Sequence, residues 1–258
     1  MSETLPLPTP PLPTKGDEAW RYADLDALAP VWPDIAGKRE EIVVSAGESA
    51  ARRIVLEARD PNVDIRTLAV RIGKHARFDL HCLAIAADYG RIAVEVTLEE
   101  GAHFELGGAI LGSGGQTLEI VTDVRHAEPG ATSNQVVRSV LGGKATGSFL
   151  GKVGVARHAQ KTDAAQSVKA MLLDRTARAN AKPELEIFAD DVKCAHGATV
   201  GELDKAALFY MASRGIPPAE ARRLMLRAFI ADAFVAIEDE AAREEIEGRA
   251  LEALGAML

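Results

Sequence analysis

The chain has 258 residues, of which 47% are hydrophobic and 26% charged, a composition typical of a globular protein with a substantial core. Its net charge of -8 argues against an electrostatic nucleic-acid binder, which would need a basic surface. Two distant cysteines make no disulfide framework, and neither a basic-apolar leader nor a run of eighteen apolar residues is visible. These features predict a cytoplasmic protein without a transmembrane segment.

Residues 1–41 are predicted to form an extended arm followed by one short helix. The run Met1–Gly16 suits neither a packed helix nor a central strand, because it contains prolines at positions 6, 8, 10, 11 and 13. Asp17 can cap a helix over 17–28, along which apolar side chains share one face, namely Trp20, Leu25 and Leu28. We prefer simple packing of Trp20 against the main body as the role of this segment.

Residues 42–201 show the period-two alternation that is typical of short β-strands. Phe78, Leu80, Cys82 and Ala84 alternate with other side chains, and glycines or charged residues separate the successive apolar runs. Strands this short and numerous predict a β-sandwich, a barrel or a β-solenoid. Few Asn-Gly or Asp-Gly dipeptides occur, which favours a coil of strands over a stack of hairpins. No hexapeptide or nonapeptide repeat is visible, so such a solenoid would be irregular.

The last extended segment carries two soft metal ligands. Residues 185–188 and 192–196 are predicted as short strands joined by a bend at Asp190-Asp191, with Gly197 ending the second. Cys194 and His196 are two residues apart, so on a strand they share a face. Two ligands do not complete a tetrahedral site, and the others would come from elsewhere in the chain or from a second molecule. On spacing alone, a small buried thiol and a backbone-bonded imidazole are the preferred interpretation.

Residues 202–258 are predicted to be helical throughout. Asp204 can cap a first helix over 204–214, and Pro217 opens a second that is apolar almost all round as far as Ile237. A third, amphipathic helix is predicted over 239–258. The excess apolar surface of the second helix is explained equally well by core packing and by partner docking.

Several segments of the chain together match the pattern of one known family. They are 158–163 (HAQKTD), 172–173 (LL), 181–201 (AKPELEIFADDVKCAHGATVG), 208–210 (LFY), 213–216 (SRGI), 221–224 (ARRL) and 17–22 (DEAWRY). With these segments the chain resembles the SufB/SufD family, the scaffold subunits of the SUF iron–sulfur cluster assembly machinery. The similarity is dense between residues 158 and 237 and compatible over the strand-rich middle, and the string DDVKCAHGATVG is similar to the SufD branch of the family.

This resemblance implies a right-handed parallel β-helix core with helical ends, in a chain that pairs with SufB and docks the ATPase SufC. His196 would lie at the SufB interface, where iron or a transient cluster is assembled, and Cys194 would be either a second ligand or packing. No cofactor would be bound tightly by this chain alone. ATP would be hydrolysed by SufC, because this chain has no GxxxxGK[ST] loop. The residues assigned to ATPase docking are Leu208, Phe209, Tyr210, Arg214, Leu224, Phe229 and Phe234.

The resulting expectation is a non-catalytic scaffold with an arm (1–41), a β-helix core (42–201) and a C-terminal helical domain (202–258). Family members are usually longer, so the capping role of their larger N-terminal region is in question here. One alternative is a β-helix enzyme acting on a polysaccharide, which would need paired carboxylates and aromatic platforms, whereas aromatics are only 5% of the chain. Another is a self-associating β-solenoid, and a homodimer of the isolated chain also stays open.

Overall fold

The computed structural model describes residues 10–60 and 62–258, so the prolines at positions 6 and 8 of the predicted arm lie outside the described residues. The strands are β1 Glu40–Val44, β2 Ser49–Val55, β3 Val63–Ile72, β4 Arg77–Ala84, β5 Tyr89–Leu98, β6 His103–Gly112, β7 Thr117–His126, β8 Thr132–Leu141, β9 Thr146–Val155, β10 Asp163–Leu172, β11 Arg178–Ile187 and β12 Lys193–Gly201. The helices are a 3-10 turn at Glu18–Trp20, α1 Leu25–Leu28, α2 Trp32–Ile35, α3 Lys205–Ser213, α4 Pro218–Ala231 and α5 Glu240–Gly255.

The strands coil into a solenoid of about six turns with two strands in each turn. The odd-numbered strands form one six-stranded sheet, which we call the odd sheet, and the even-numbered strands form the even sheet. Neighbouring strands pair in parallel within both sheets. The predicted parallel β-helix is therefore confirmed, and its predicted right-handed sense is the one that nearly all parallel crossover connections take.

Parallel register places equivalent residues of successive turns directly beside one another, and we call each such line of residues a column. Phe78 pairs with Phe104 in one inward-facing column of the even sheet, and their rings stack with centroids 6.4 Å apart. Leu80 and Leu106 occupy the next inward position, and both are fully buried. Alternation within each strand therefore fills the space between the sheets with apolar side chains, because every second residue points inward.

Each turn of the solenoid also repeats a corner at which one residue has a positive φ. His75, Gly101 and Gly130 occupy this corner in three successive turns, with φ of 55°, 63° and 72°. The N–H of each donates to a carbonyl of the next turn, as in the 2.8 Å bond from His75 to Glu100. The hydrogen-bond ladder thus continues around the corner, and the repeat is a backbone conformation rather than a short sequence motif.

The N-terminal segment lies against the outer face of the odd sheet. Arg91 is buried there and forms a 2.8 Å ion pair with Glu119, which also accepts a 2.9 Å hydrogen bond from Tyr89. The same guanidinium donates to the carbonyl of Ala19 at 2.7 Å and lies 4.0 Å from the ring centroid of Trp20. The expected packing of Trp20 against the main body is therefore observed, and a buried charge pair holds it there.

The single helix predicted over 17–28 is wrong, because this stretch divides into the 3-10 turn and α1. Asp17 makes no side-chain cap, and it is Asp24 that accepts a 3.0 Å bond from the N–H of Ala27 at the start of α1. No helix among residues 10–60 and 62–258 is long and apolar enough to cross a bilayer. The predicted three-domain division stays a prediction, although the strands end at Gly201 and the following helix begins at Lys205.

The C-terminal helices begin where the sequence predicted but differ at their ends. Asp204 caps α3 and Asp239 caps α5, whereas α4 ends at Ala231 rather than at Ile237. Helices α4 and α5 cover the outer face of the even sheet through an apolar cluster that includes Leu83, Ala109, Leu111 and Val140 from the strands and Leu226, Ile230, Phe234, Ile246 and Leu254 from the helical segment. The second helix is thus apolar because one side packs on a sheet.

A buried arginine ties the end of α4 to the strands below it. Arg138 on β8 donates to Asp232 through Nε at 2.8 Å and Nη2 at 2.6 Å. Its Nη1 donates to the backbone carbonyl of Ser167 on β10 at 2.7 Å. One guanidinium therefore joins the residue that ends α4 to two neighbouring strands of the even sheet.

We predict that Gly107→Ala separates the helical layer from the even sheet. A Cβ at this position would lie 2.0 Å from the carbonyl oxygen of Ala233 and 2.7 Å from the ring of His81. Overpacking of this kind should lower the free energy of unfolding by about 1–3 kcal/mol, measured by urea titration. Gly154→Ala is the matched control, because its Cβ meets nothing within 4 Å, and equal stability of the two variants would contradict this packing.

Candidate functional site

The predicted ligand pair lies on β12, the terminal strand of the even sheet. Among the described residues, β12 pairs only with β10, so its other edge presents backbone N–H and C=O groups that no strand covers. The prediction that Gly197 ends the strand is wrong, because the parallel ladder with β10 continues to the pair Met171 and Gly201. The strand predicted over 185–188 is likewise only the end of β11, in which Pro183 is tolerated at an edge of the odd sheet.

Cys194 and His196 project from the same face of β12, and the register shows which face it is. Cys194 pairs with Ala164 and His196 pairs with Gln166, and both partners on β10 are buried inside the solenoid. The two candidate ligands therefore continue inward-facing columns past the last complete turn. His196 is exposed, whereas Cys194 is half-buried and packs against the core.

Burial raises the pKa of the Cys194 thiol above its ordinary value. A hydrogen bond with the Ala164 backbone lowers this pKa, whereas the negative charge of Asp163 raises it further. The protonated thiol is thus favoured in the isolated chain, and a bound metal would have to displace its proton. Within residues 10–60 and 62–258, no group of three or more His, Cys, Asp or Glu side chains forms a metal site. Cys194 and His196 supply two donors at most.

The column that ends at His196 changes character along the solenoid. In the even sheet it begins at the exposed Arg52 on β2, contains Leu80 and Leu106 in the next two turns, then Gln135 and Gln166, and ends at His196. Both glutamines are buried, and Oε1 of Gln135 accepts a 2.7 Å hydrogen bond from the hydroxyl of Thr122 across the core. This column is thus apolar in the middle of the solenoid and polar beside the terminal strand.

Sequence reasoning missed these two glutamines, because β8 and β10 were not delimited as strands. The available signal was the alternation in SNQVVRSV and DAAQSVKA, where a glutamine occupies a position that the apolar pattern assigns to the core. A polar residue at such a position is informative, since its burial is unfavourable without hydrogen-bonding partners.

Three other histidines make contacts that lie apart from the predicted ligand pair. Burial lowers the pKa of His126 to about 4, opposed by a backbone hydrogen bond at Ala131, and its Nε2 lies 2.9 Å from the hydroxyl of Ser133. His103 lies 2.7 Å from the hydroxyl of Thr132, and His158 is exposed near Glu128. None of these contacts joins a histidine to Cys194 or His196.

The residues predicted to dock an ATPase divide between surface and core. Helix α3 has no buried residue, and its Phe209 and Tyr210 are 77% and 59% exposed, with Arg214 stacked over the Tyr210 ring at 5.2 Å. Leu208 is half-buried and Leu224 on α4 is exposed. Phe229 is half-buried against the sheet-helix cluster, and Phe234 is 0% exposed within it.

The location of Phe234 corrects one part of the predicted docking set. Its side chain is enclosed between the helical layer and the even sheet, so it contributes to the fold and is not available to a second protein. The sequence predicted one helix that continues past Ala231 and is apolar almost all round. The spacing of its apolar residues therefore could not show whether Phe234 packs in the core or docks a partner. The exposed part of the set lies on α3, at Arg214 directly after it, and at Leu224 in the middle of α4.

A coil of parallel strands with an uncovered terminal edge and an outer helical layer defines a β-solenoid scaffold. Comparison with known proteins identifies the family: residues 38–229 match the model of the "SUF system FeS cluster assembly, SufBD core domain". The chain therefore belongs to the SufB/SufD family of iron–sulfur cluster assembly proteins, as the sequence resemblance indicated.

Similar curated proteins carry the same description. The iron-sulfur cluster assembly protein SufD of Escherichia coli is 38% identical over 128 residues, covering 50% of this chain and 30% of that protein. A SufBD family protein of Synechocystis is 32% identical over 206 residues, covering 79% and 45%, and SufD of Bacillus subtilis is 33% identical over 132 residues, covering 51% and 30%. The chain thus spans less than half the length of these three relatives.

We predict that the two cysteines differ sharply in reactivity toward iodoacetamide. Cys82 is fully buried and burial raises its pKa strongly, so it should not react in the folded protein. Cys194 should react severalfold more slowly at neutral pH than in the urea-unfolded chain, and faster as the pH rises and thiolate forms. Mass spectrometry of the alkylated peptides measures both rates.

Asp163→Asn provides the matched comparison for the Cys194 thiol. Removing this carboxylate should lower the thiol pKa and accelerate alkylation of the folded protein, since the charge of Asp163 opposes thiolate formation. A Cys194 that reacts at the same rate in the folded and unfolded chains would contradict its packing against the core.

Proposed function

We propose that this chain is a SufD-type, non-catalytic scaffold subunit of an ATP-driven iron–sulfur cluster assembly complex. In this proposal its solenoid pairs with a SufB-type subunit, and its C-terminal helices dock a SufC-type ATPase. The observation that carries the proposal is the position of His196, which is exposed on a strand whose outer edge no other described strand covers.

The uncovered edge of β12 supports a partner at this end of the solenoid. An edge strand presents a row of backbone donors and acceptors that a second strand can satisfy. A partner bound along this edge would lie next to His196 and could supply the ligands that complete a site for iron or a transient cluster. Iron and sulfide are the cargo of this process, and His196 would contribute one imidazole to it.

The surface of α3 supports a second docking site on the helical segment. Phe209 and Tyr210 are large exposed side chains on adjacent positions of α3, and Leu224 is exposed nearby in sequence on α4. Aromatic side chains that are buried by a partner commonly contribute most of the binding energy of an interface. This chain contains no GxxxxGK[ST] phosphate loop, so the proposal assigns ATP hydrolysis to the partner.

We predict that His196→Ala in the three-subunit complex lowers the iron and sulfide content after reconstitution by at least about tenfold, because loss of a ligand leaves the site incomplete. The complex is formed by co-purification with SufB-type and SufC-type partners, and iron and acid-labile sulfide are then measured. His158→Ala is the matched control, since it removes another exposed histidine.

The assignment fails if the complex containing His196→Ala assembles clusters at the wild-type rate. Size measurement of the isolated chain and of the mixture tests the rival in which the protein only associates with itself. A homodimer that persists unchanged in the presence of both partners would favour that rival.

We predict that Phe209→Asp weakens binding of the SufC-type ATPase by about 2 kcal/mol, or about thirtyfold in Kd, because it places a charge in an apolar contact. Isothermal titration calorimetry of the purified proteins measures this change. Val43→Asp alters an equally exposed apolar residue on β1, at the opposite end of the solenoid, and should leave the Kd unchanged. Equal effects of the two substitutions would exclude α3 as the docking surface.

A further inference from the structure

Gln166 is a buried polar residue with no hydrogen-bonding partner for its side chain among the described residues. It is 3% exposed, and both its Oε1 and its Nε2 are buried without a partner. Buried amides are nearly always hydrogen-bonded, so a group of this kind requires an explanation. Leucine occupies the same column in two earlier turns, at Leu80 and Leu106, so the fold itself does not require a polar side chain there.

The surroundings of Gln166 are shaped for its amide. On the facing sheet, Gly151 leaves space that the ring of Phe149 and the amide share, since a Cβ at that position would lie 2.4 Å from the Phe149 ring and 2.6 Å from Nε2 of Gln166. On one side in the column is Gln135, whose Nε2 also has no partner and whose Oε1 accepts from Thr122. On the other side is His196.

We propose that Gln166 is a positioning residue that orients the imidazole of His196. The two residues are register partners on adjacent parallel strands and project from the same face, at the usual strand separation of about 4.8 Å. No hydrogen bond joins the two side chains in the structure, but at this strand separation a rotation of either side chain, or a single bridging water, would connect the amide and the ring. This inference rests on the proposed function, because it gives His196 the orientation needed by a ligand.

Two donor orders could link these groups. In one, Nε2 of Gln135 donates to Oε1 of Gln166 and Nε2 of Gln166 donates to the ring of His196, whose outer nitrogen then carries the proton. In the order that suits a ligand, the ring nitrogen of His196 that faces the column would carry its proton and donate to Oε1 of Gln166, and Nε2 of Gln166 would donate to Oε1 of Gln135, an oxygen that has a second lone pair beside its bond from Thr122. The other ring nitrogen is then left with its lone pair directed away from the column, as a metal ligand requires.

The test measures the tautomer of His196 in the isolated chain, without partners or iron. Two-bond ¹H–¹⁵N NMR correlations of ¹⁵N-histidine-labelled protein at alkaline pH distinguish the two neutral tautomers, and the His196 signals are those absent from His196→Ala. Gln166→Leu should reduce the ratio of the favoured to the other tautomer about fivefold, the value of one ordinary hydrogen bond. Gln166→Glu keeps an acceptor at the same distance and should retain the wild-type tautomer.

Gln135→Leu is the matched control, because it makes the same change one strand further from His196. It should alter the tautomer ratio less than Gln166→Leu does. Leucine at position 166 reproduces the packing of the earlier turns, and unchanged NMR dispersion verifies that the variant folds. An unchanged ratio in Gln166→Leu, or an equal change in Gln135→Leu, overturns the proposal.

Reconstitution in the complex separates this inference from the proposed function. If both hold, Gln166→Leu lowers the iron content and Gln166→Glu restores it. A changed tautomer in Gln166→Leu, together with wild-type cluster assembly by His196→Ala, would retain the positioning role and remove the proposed function. An unchanged tautomer ratio in Gln166→Leu, together with loss of cluster assembly in His196→Ala, would remove the positioning role and retain the proposed function.

Discussion

Parallel register is the constraint on which the rest of this structure depends. Each strand leaves half of its backbone hydrogen-bonding groups to the turn that follows, and each inward side chain is covered only by its equivalents in neighbouring turns. A solenoid built this way has no natural closure, so the last strand of each sheet ends with uncovered groups. In this chain β12 is such a strand, and it carries both Cys194 and His196.

The family relationship is consistent with this geometry. The match to the SufBD core model begins just before β1 and ends within α4, so it covers the whole solenoid, α3 and most of α4, but not α5. The functional hypothesis places cluster assembly at the end of the solenoid, where one inward-facing column changes from leucine to glutamine and then to histidine. A change of this kind costs stability in the core, because buried amides must be hydrogen-bonded, and residues retained at such a cost are candidates for function.

Alternation within strands such as β4 and β5 is a local property, so the sequence predicted a β-rich fold that could be a sandwich, a barrel or a solenoid, and the family resemblance then implied the parallel β-helix. The sequence also identified the helix cap Asp204, whose side chain acts on the next few residues, and placed the start of the third helix at Asp239. Prediction from the sequence failed where the structure is determined by a contact between residues that are far apart along the chain. Continuation of β12 past Gly197 depends on β10, and the burial of Phe234 depends on the even sheet. The pairing of Gln166 with His196 required the register between two strands, which no single segment contains.

The guanidinium of Arg138 has a mechanical consequence for the molecule. Its Nη2 donates a hydrogen bond to Asp232 at the end of α4, and its Nη1 donates to the backbone carbonyl of Ser167. Ser167 is the immediate neighbour of Gln166 along β10. Because one guanidinium bonds both Asp232 and Ser167, a displacement of Asp232 would also act on β10, the strand that pairs with β12, so the helical layer and the end of the solenoid are joined by a side-chain contact as well as by the chain itself.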